Sequence, residues 1–152
     1  MRARLGAIIA GLVAAAGAAA LPAAGAAQPP RVALRGFFCQ AAANPRNRAI
    51  EVTAVMRPLP ATRRMQMRFV LLRRSAWRAP FLPVRGRGLN IWLNPADPTL
   101  GQRAGDTWVL NKPVVNLPAP AAYRLRVSFR WLGAGGVIGT ATRLSPICHQ
   151  PA

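Results

Sequence analysis

Few residues in this chain carry groups suited to acid–base or nucleophilic chemistry. The acids are Glu51, Asp97 and Asp106, and the single histidine is His149. General acid–base catalysis needs two carboxyls in mutual reach, or a histidine with a partner. Glu51 falls on an alternating stretch with arginines nearby, which predicts an ordinary ion pair. Asp97 and Asp106 stand on either side of a turn-rich segment and could meet in space, but Asp97-Pro98 is a turn starter and Asp106 a loop end. A Ser-His-Asp triad would have to draw on His149, close to the end of the sequence, and no nucleophile-elbow motif is present. Phosphate-loop, dinucleotide and zinc spacings are absent as well. The expectation is a chain with no catalytic residues, no metal site and no small-molecule cofactor.

Cys39 and Cys148 are the two cysteines. An even count in an exported chain reads as one disulfide, here one that would bracket nearly the whole domain. Closing so long a loop is worth ~4–5 kcal/mol in the chain-entropy account. Two separate thiols are the competing reading. A lone Cys148-His149 pair makes a poor metal site, and a thiolate nucleophile would find no second histidine as its base. Met65 and Met67 form a short thioether row of the kind that binds copper. At period two beside Phe69 and Leu71, the same row reads as core packing.

The basic residues are the most unusual feature. Lys and Arg total 21 against 3 Asp and Glu, for a net charge of +18, and Lys112 is the only lysine. Such a charge favours polyanions: nucleic acid, anionic lipid or acidic wall polymers. Enrichment in Ala, Gly, Pro and Arg together is also what GC-rich codon usage produces without selection for binding. One segment concentrates the functional reading. Arg73, Arg74, Trp77, Arg78, Arg85 and Arg87 interleave cations with aromatic side chains, Phe81 among them, as a polyanion-binding loop would. The plainer alternative is a loop that packs Trp77 and Phe81 on the edge of the fold, with solvated arginines around them.

Compartment follows from the amino terminus. Arg2 and Arg4 precede an uncharged apolar run, Leu5 to Leu21. Pro22 and small residues to Ala27 follow, with Ala24-Gly25-Ala26 as a cleavage pattern. That order predicts a secretory signal peptide over residues 1–27 and one domain over 28–152, secreted or held in the cell envelope. An uncleaved anchor is the alternative, and the only membrane contact foreseen. The apolar run is short for the ~20 residues a span requires. Cys39 lies too far on for lipid attachment. Cleavage would leave 125 of the 152 residues and, without Arg2 and Arg4, a charge of +16.

The elements that must position these residues are strands. Tyr123-Arg-Leu-Arg-Val-Ser-Phe-Arg-Trp131 alternates large apolar residues with Arg124, Arg126, Ser128 and Arg130, the pattern of a strand with one buried face. Shorter alternating runs are read over Val32–Cys39, Ala49–Arg57, Arg63–Arg74, Leu89–Leu93, Asp106–Lys112 and Val137–Leu144. In the first, Val32, Leu34 and Phe38 are placed on one face and Phe37 and Cys39 on the other, which implies a bulge or burial on both sides. Residues 75–88 and 94–106 read as irregular, 113–122 as an extended segment, and Gly133, Gly135 and Gly136 as a hairpin turn. No segment carries a helical period. About seven short strands at regular spacing predict an all-β antiparallel sandwich.

The 123–131 strand, its Gly-rich turn and the final strand resemble the late strands of immunoglobulin-like and fibronectin type III-like domains. The resemblance implies an immunoglobulin-like β-sandwich with Tyr123 as a corner tyrosine, its ring in the core and its hydroxyl on a nearby backbone group. The second cysteine of immunoglobulins proper would fall two residues later, where this chain has Leu125. The closer likeness is therefore to adhesion-type β-domains of bacterial surface proteins. By analogy this implies a binding or structural role, with a protein or an anionic envelope polymer as partner.

Overall fold

The computed structural model describes residues 29–152; the leader expected over residues 1–27 lies outside them. Nine strands form among the described residues: β1 (Val32–Gln40), β2 (Ala49–Met56), β3 (Arg64–Arg74), β4 (Leu82–Pro83), β5 (Trp92–Leu93), β6 (Trp108–Val115), β7 (Ala121–Gly133), β8 (Gly136–Leu144) and β9 (Cys148–Gln150). They make two antiparallel sheets. The small sheet has the order β1-β2-β6. The large one runs β4-β3-β7-β8, with β5 also on β3 and β9 also on β7. The all-β antiparallel class expected from the alternation is what forms.

The core is the meeting of the two inner faces. Ile50, Val52, Ala54 and Met56 come from β2, and Met65, Met67, Phe69 and Leu71 from β3. Tyr123, Leu125, Val127, Phe129 and Trp131 come from β7. Period-two alternation dictates these sets, because a strand of any other register would put charge inside. Met65 and Met67 are fully buried packing residues. Trp131 Nε1 donates to Arg57 O at 2.7 Å and ties the end of β7 to the end of the small sheet. Gly139, its cross-strand partner, leaves room for the ring: a Cβ there would lie 3.3 Å from Trp131 Cε3 and 2.6 Å from Leu59 Cδ1.

Of the two alternatives expected in β1, the bulge is present, between Arg35 and Phe38, with Gly36 at φ +60°. It reverses the facing of the residues that follow. Phe38, expected with Val32 and Leu34, therefore lies on the outer face opposite Glu51, while Cys39 takes the inner-face register opposite Ile50 and remains exposed at the sheet edge. From there Cys39 reaches Cys148 on β9, and the two form a disulfide with Cα atoms 5.4 Å apart and a sequence separation of 109. The bridge joins the first strand of the small sheet to the last strand of the large one.

Pro146 splits the final strand into β8 and β9, since it offers no N–H to the ladder. Ser145 repairs the break: its N–H donates to Leu125 O at 2.8 Å, and its Oγ accepts from Leu125 N at 2.9 Å.

The side-chain geometry expected of Tyr123 is present. Its ring is 1 % exposed, and its Oη donates to Pro118 O at 2.7 Å. Burial raises its phenol above the ordinary value near 10, against the opposing pull of Arg73 and Arg48. Tyr123→Phe is expected to cost about 1 kcal/mol in urea unfolding at neutral pH. The raised pKa means the neutral phenol favours the folded state. That contribution is whole below pH ~10 and fades as the pH climbs through the raised value. The alkaline loss of stability attributable to this phenol should be absent from the Phe variant. A variant as stable as wild type, with the same alkaline profile, would show that the corner hydrogen bond contributes nothing.

Candidate functional site: an arginine-tiled sheet face and a basic cleft

The six arginine and aromatic residues singled out in the 73–87 segment do not form one surface. Neighbouring residues in a strand point to opposite faces. Arg74 lies opposite Ala122 on the outer face of the large sheet, and Arg73 lies opposite Tyr123 on the inner one. Trp77 follows Arg74 outward, with Arg74 over its ring at 5.3 Å, and is 79 % exposed. Trp77 is thus not packed on the fold; Phe81 is the ring that settles there. Arg78 is exposed in the same loop. Arg85 and Arg87 go with Arg73 to a cleft at the edge of the sandwich.

The outer face of the large sheet gathers arginines from distant parts of the chain. Arg64, Arg68 and Arg74 of β3 share it with Arg124, Arg126 and Arg130 of β7. Two rings from the segment after β3 pin four of them. Trp92 lies between Arg68 at 4.7 Å and Arg130 at 4.0 Å from its centroid. Phe81 lies between Arg74 at 4.8 Å and Arg124 at 4.5 Å. Each such contact is worth ~0.5–2 kcal/mol and holds the guanidinium flat on its ring. Val70 and Leu72 also belong to this face, opposite Arg126 and Arg124, yet are only 1 % and 5 % exposed. Arginine stems and the two rings roof them over, as long cationic side chains do on apolar ground. Arg68 Nε and Arg124 Nε are buried without an acceptor, as expected for a guanidinium laid on a ring. Arg130 Nε donates to Gln66 Oε1, and Gln66 Nε2 in turn donates to Asn94 Oδ1 at 2.8 Å.

No carboxylate sits on this face. Glu51 is on the outer face of the small sheet, where the expected arginine pair is replaced by a hydrogen bond from Asn111 Nδ2 at 3.0 Å. Asp97 and Asp106 stay in the loop between β5 and β6. Asp97 Oδ1 accepts from Thr99 Oγ1 at 2.7 Å and Thr99 N at 2.8 Å, and these bonds hold its pKa below the usual value. Asp106 Oδ2 accepts from Arg103 N at 3.1 Å and Gly101 N at 2.7 Å, with the same result. Both acids are loop fasteners.

His149 is exposed and lies in register with Ala122, beside Arg74. Ser75 lines a shallow groove with it, and no carboxylate does. The aspartates belong to the opposite end of the sheet, where Gly101 packs on Met65. Nine strand steps from Met65 to Arg74 at ~3.3 Å each separate the two ends by about 30 Å. His149 and the aspartates therefore do not meet. Among the described residues, no three His, Cys, Asp or Glu side chains converge on a metal-sized space.

Arg64, Arg68, Arg124, Arg126, Arg130 and Trp92 lie outside the segment singled out in the sequence. The signal for three of them was present, as the polar positions of the 123–131 alternation. No family model, curated protein or solved structure matches the chain.

Proposed function

We propose that this chain is an exported, non-catalytic immunoglobulin-like module that binds an anionic polymer of the cell envelope or its surroundings through the outer face of its large sheet. The observation that carries this reading is the face itself: six arginines, four of them stacked on rings, and no carboxylate among them. Like charges held this close repel one another, and a polyanion relieves that cost. Stacking removes side-chain freedom before the ligand arrives, which lowers the entropic cost of binding. Trp92 and Phe81 each carry two guanidinium groups, which leaves little ring for a nucleic-acid base to stack on; Trp77, with one guanidinium and 79 % exposure, is the more open ring. The face reads charge along a backbone, as in an acidic polysaccharide or a phosphate-linked wall polymer.

The strand order supports the immunoglobulin-like assignment. Lettering β1, β2, β3, β6, β7 and β8 as A, B, C, E, F and G puts A, B and E on one sheet and C, F and G on the other, the division found in immunoglobulin-like sandwiches; β4 and β5 pair with C, and no D strand joins the small sheet among the described residues. The corner tyrosine supports it as well. An inter-sheet disulfide is in keeping with export to an oxidising compartment.

Heparin affinity chromatography tests the proposal. Wild type is expected to stay bound well above physiological salt, and a variant with Arg68, Arg124, Arg126 and Arg130 changed to Gln to elute at clearly lower salt. Equal elution of the two would overturn it.

A further inference from the structure

We infer that the cleft between the two sheets, at the edge formed by β3 and β4, binds a small amphiphilic anion: one carboxylate or phosphate head on an apolar body. The cleft encloses about 490 Å³, within the range of small-molecule sites. Its floor is apolar, made by Leu71, Val84, Leu89, Leu117 and Tyr123. Its rim is cationic, made by Arg73, Arg85, Arg87 and Lys112, and no acidic residue lines it.

The rim is built into the fold. Lys112 lies opposite Val52 on the inner face of the small sheet, so its stem runs into the gap between sheets. Its ammonium rests against the 86–89 turn. A Cβ at Gly88, which sits at φ +68°, would come within 2.8 Å of Lys112 Nζ. The same turn needs Gly86, whose Cβ would lie 2.9 Å from Leu89 Cδ1. Two glycines thus let Leu89 fold onto the core and Lys112 pass beside it, with Arg85 and Arg87 held at the mouth. The one carboxylate nearby in sequence, Glu51, is on the other face of the sheet and bonded to Asn111.

Arg73 adds a separate sign. Its Nε is buried and has no acceptor, and unlike Arg68 and Arg124 it has no ring to explain this. A buried donor without a partner is costly. An anionic head bound at this rim would compensate the guanidinium, while the apolar floor would take the body of the ligand out of water. The concave, apolar shape suits a compact ligand, in contrast to the flat polymer-binding face on the other side of β3. The cleft does not depend on that face for its function.

The test uses the purified protein with anilinonaphthalene sulfonate, itself an anionic head on apolar rings, as fluorescent probe. Saturable one-site binding is expected, displaced by dodecanoate or dodecyl phosphate. The stronger of the two identifies the head. Neutral dodecanol should displace the probe at least about tenfold less well, because a charged hydrogen bond is worth ~1.5–3 kcal/mol. Lys112→Gln and Arg73→Gln should each weaken displacement by about tenfold on the same ground. Lys112 is half-buried at an edge strand, so its variant keeps the test alive if Arg73→Gln does not fold. Arg126→Gln/Arg130→Gln should leave probe binding unchanged while weakening heparin retention. Non-saturable binding, displacement by dodecanol equal to that by dodecanoate, or a Lys112→Gln variant with unaltered affinity would each overturn the inference.

Discussion

Replacing Cys39 and Cys148 together by alanine is expected to lower the stability of the domain by roughly 4.8 kcal/mol, the chain-entropy value for a loop of 109 residues. Domains of this size are stable by ~5–15 kcal/mol in all, so the bridge is a large share of what holds the sandwich. At ~1.5–2 kcal/mol per molar urea, the unfolding midpoint should fall by about 2–3 M. The location of the bridge makes a second effect specific. β1 sits at the edge of the small sheet and contributes one buried side chain, Val32. Past the Gly36 bulge, the disulfide ties it to the large sheet together with the hydrogen bond from Gln150 Nε2 to Gln40 O at 2.9 Å and the packing of Phe37 on the core. Amide exchange in residues 37–40 should therefore quicken more than exchange in β3 or β7. Reduced wild type should match the double variant. An unchanged midpoint would mean that core packing alone holds the two sheets together.

The elements that were legible from sequence are those with a long alternating run and one wet face. β2, β3 and β7 fall where the period-two pattern places them, because only one register buries their apolar set. The elements that were not legible depend on partners far away. A strand expected over Leu89–Leu93 contracts to Trp92–Leu93: Asn90 adopts φ 57° and Leu89 turns into the core. The strand read to Lys112 and the start of the extended segment read from Pro113 form one element, since β6 runs through Pro113 to Val115. It is an edge strand, where a missing N–H faces no neighbour. β9 lies beyond Pro146 and exists because the Ser145 hydroxyl substitutes in the ladder, a repair that no local pattern announces. The arginine face failed to appear for the same reason. Its members are spread from Arg64 to Arg130 and come together only through the β3–β7 pairing. Contiguity in sequence favoured Arg73 to Arg87 instead, although strand alternation alone places Arg73 and Arg74 on opposite faces.

Salt dependence decides between a functional charge and one inherited from codon usage, and duplex DNA is the calibrated polyanion with which to measure it. The logarithm of affinity falls with the logarithm of salt by ~0.9 per neutralised phosphate. If the six arginines of the face each engage one phosphate, the slope is about −5.4 and affinity drops about 1,800-fold between 50 and 200 mM salt. Changing Arg68, Arg124, Arg126 and Arg130 to Gln leaves two contacts, a slope of about −1.8 and a drop of only about twelvefold. The lysine versions of the same four positions separate charge from geometry. Lysine keeps the point charge but loses the planar fork that lies flat on Trp92 and Phe81. Its slope should stay near that of wild type while affinity at every salt concentration is lower, since the cations are no longer held in place. A wild-type slope near zero would assign the arginines to composition. A steep slope that survives all four Gln changes would move the binding surface to Arg78 and the other exposed arginines.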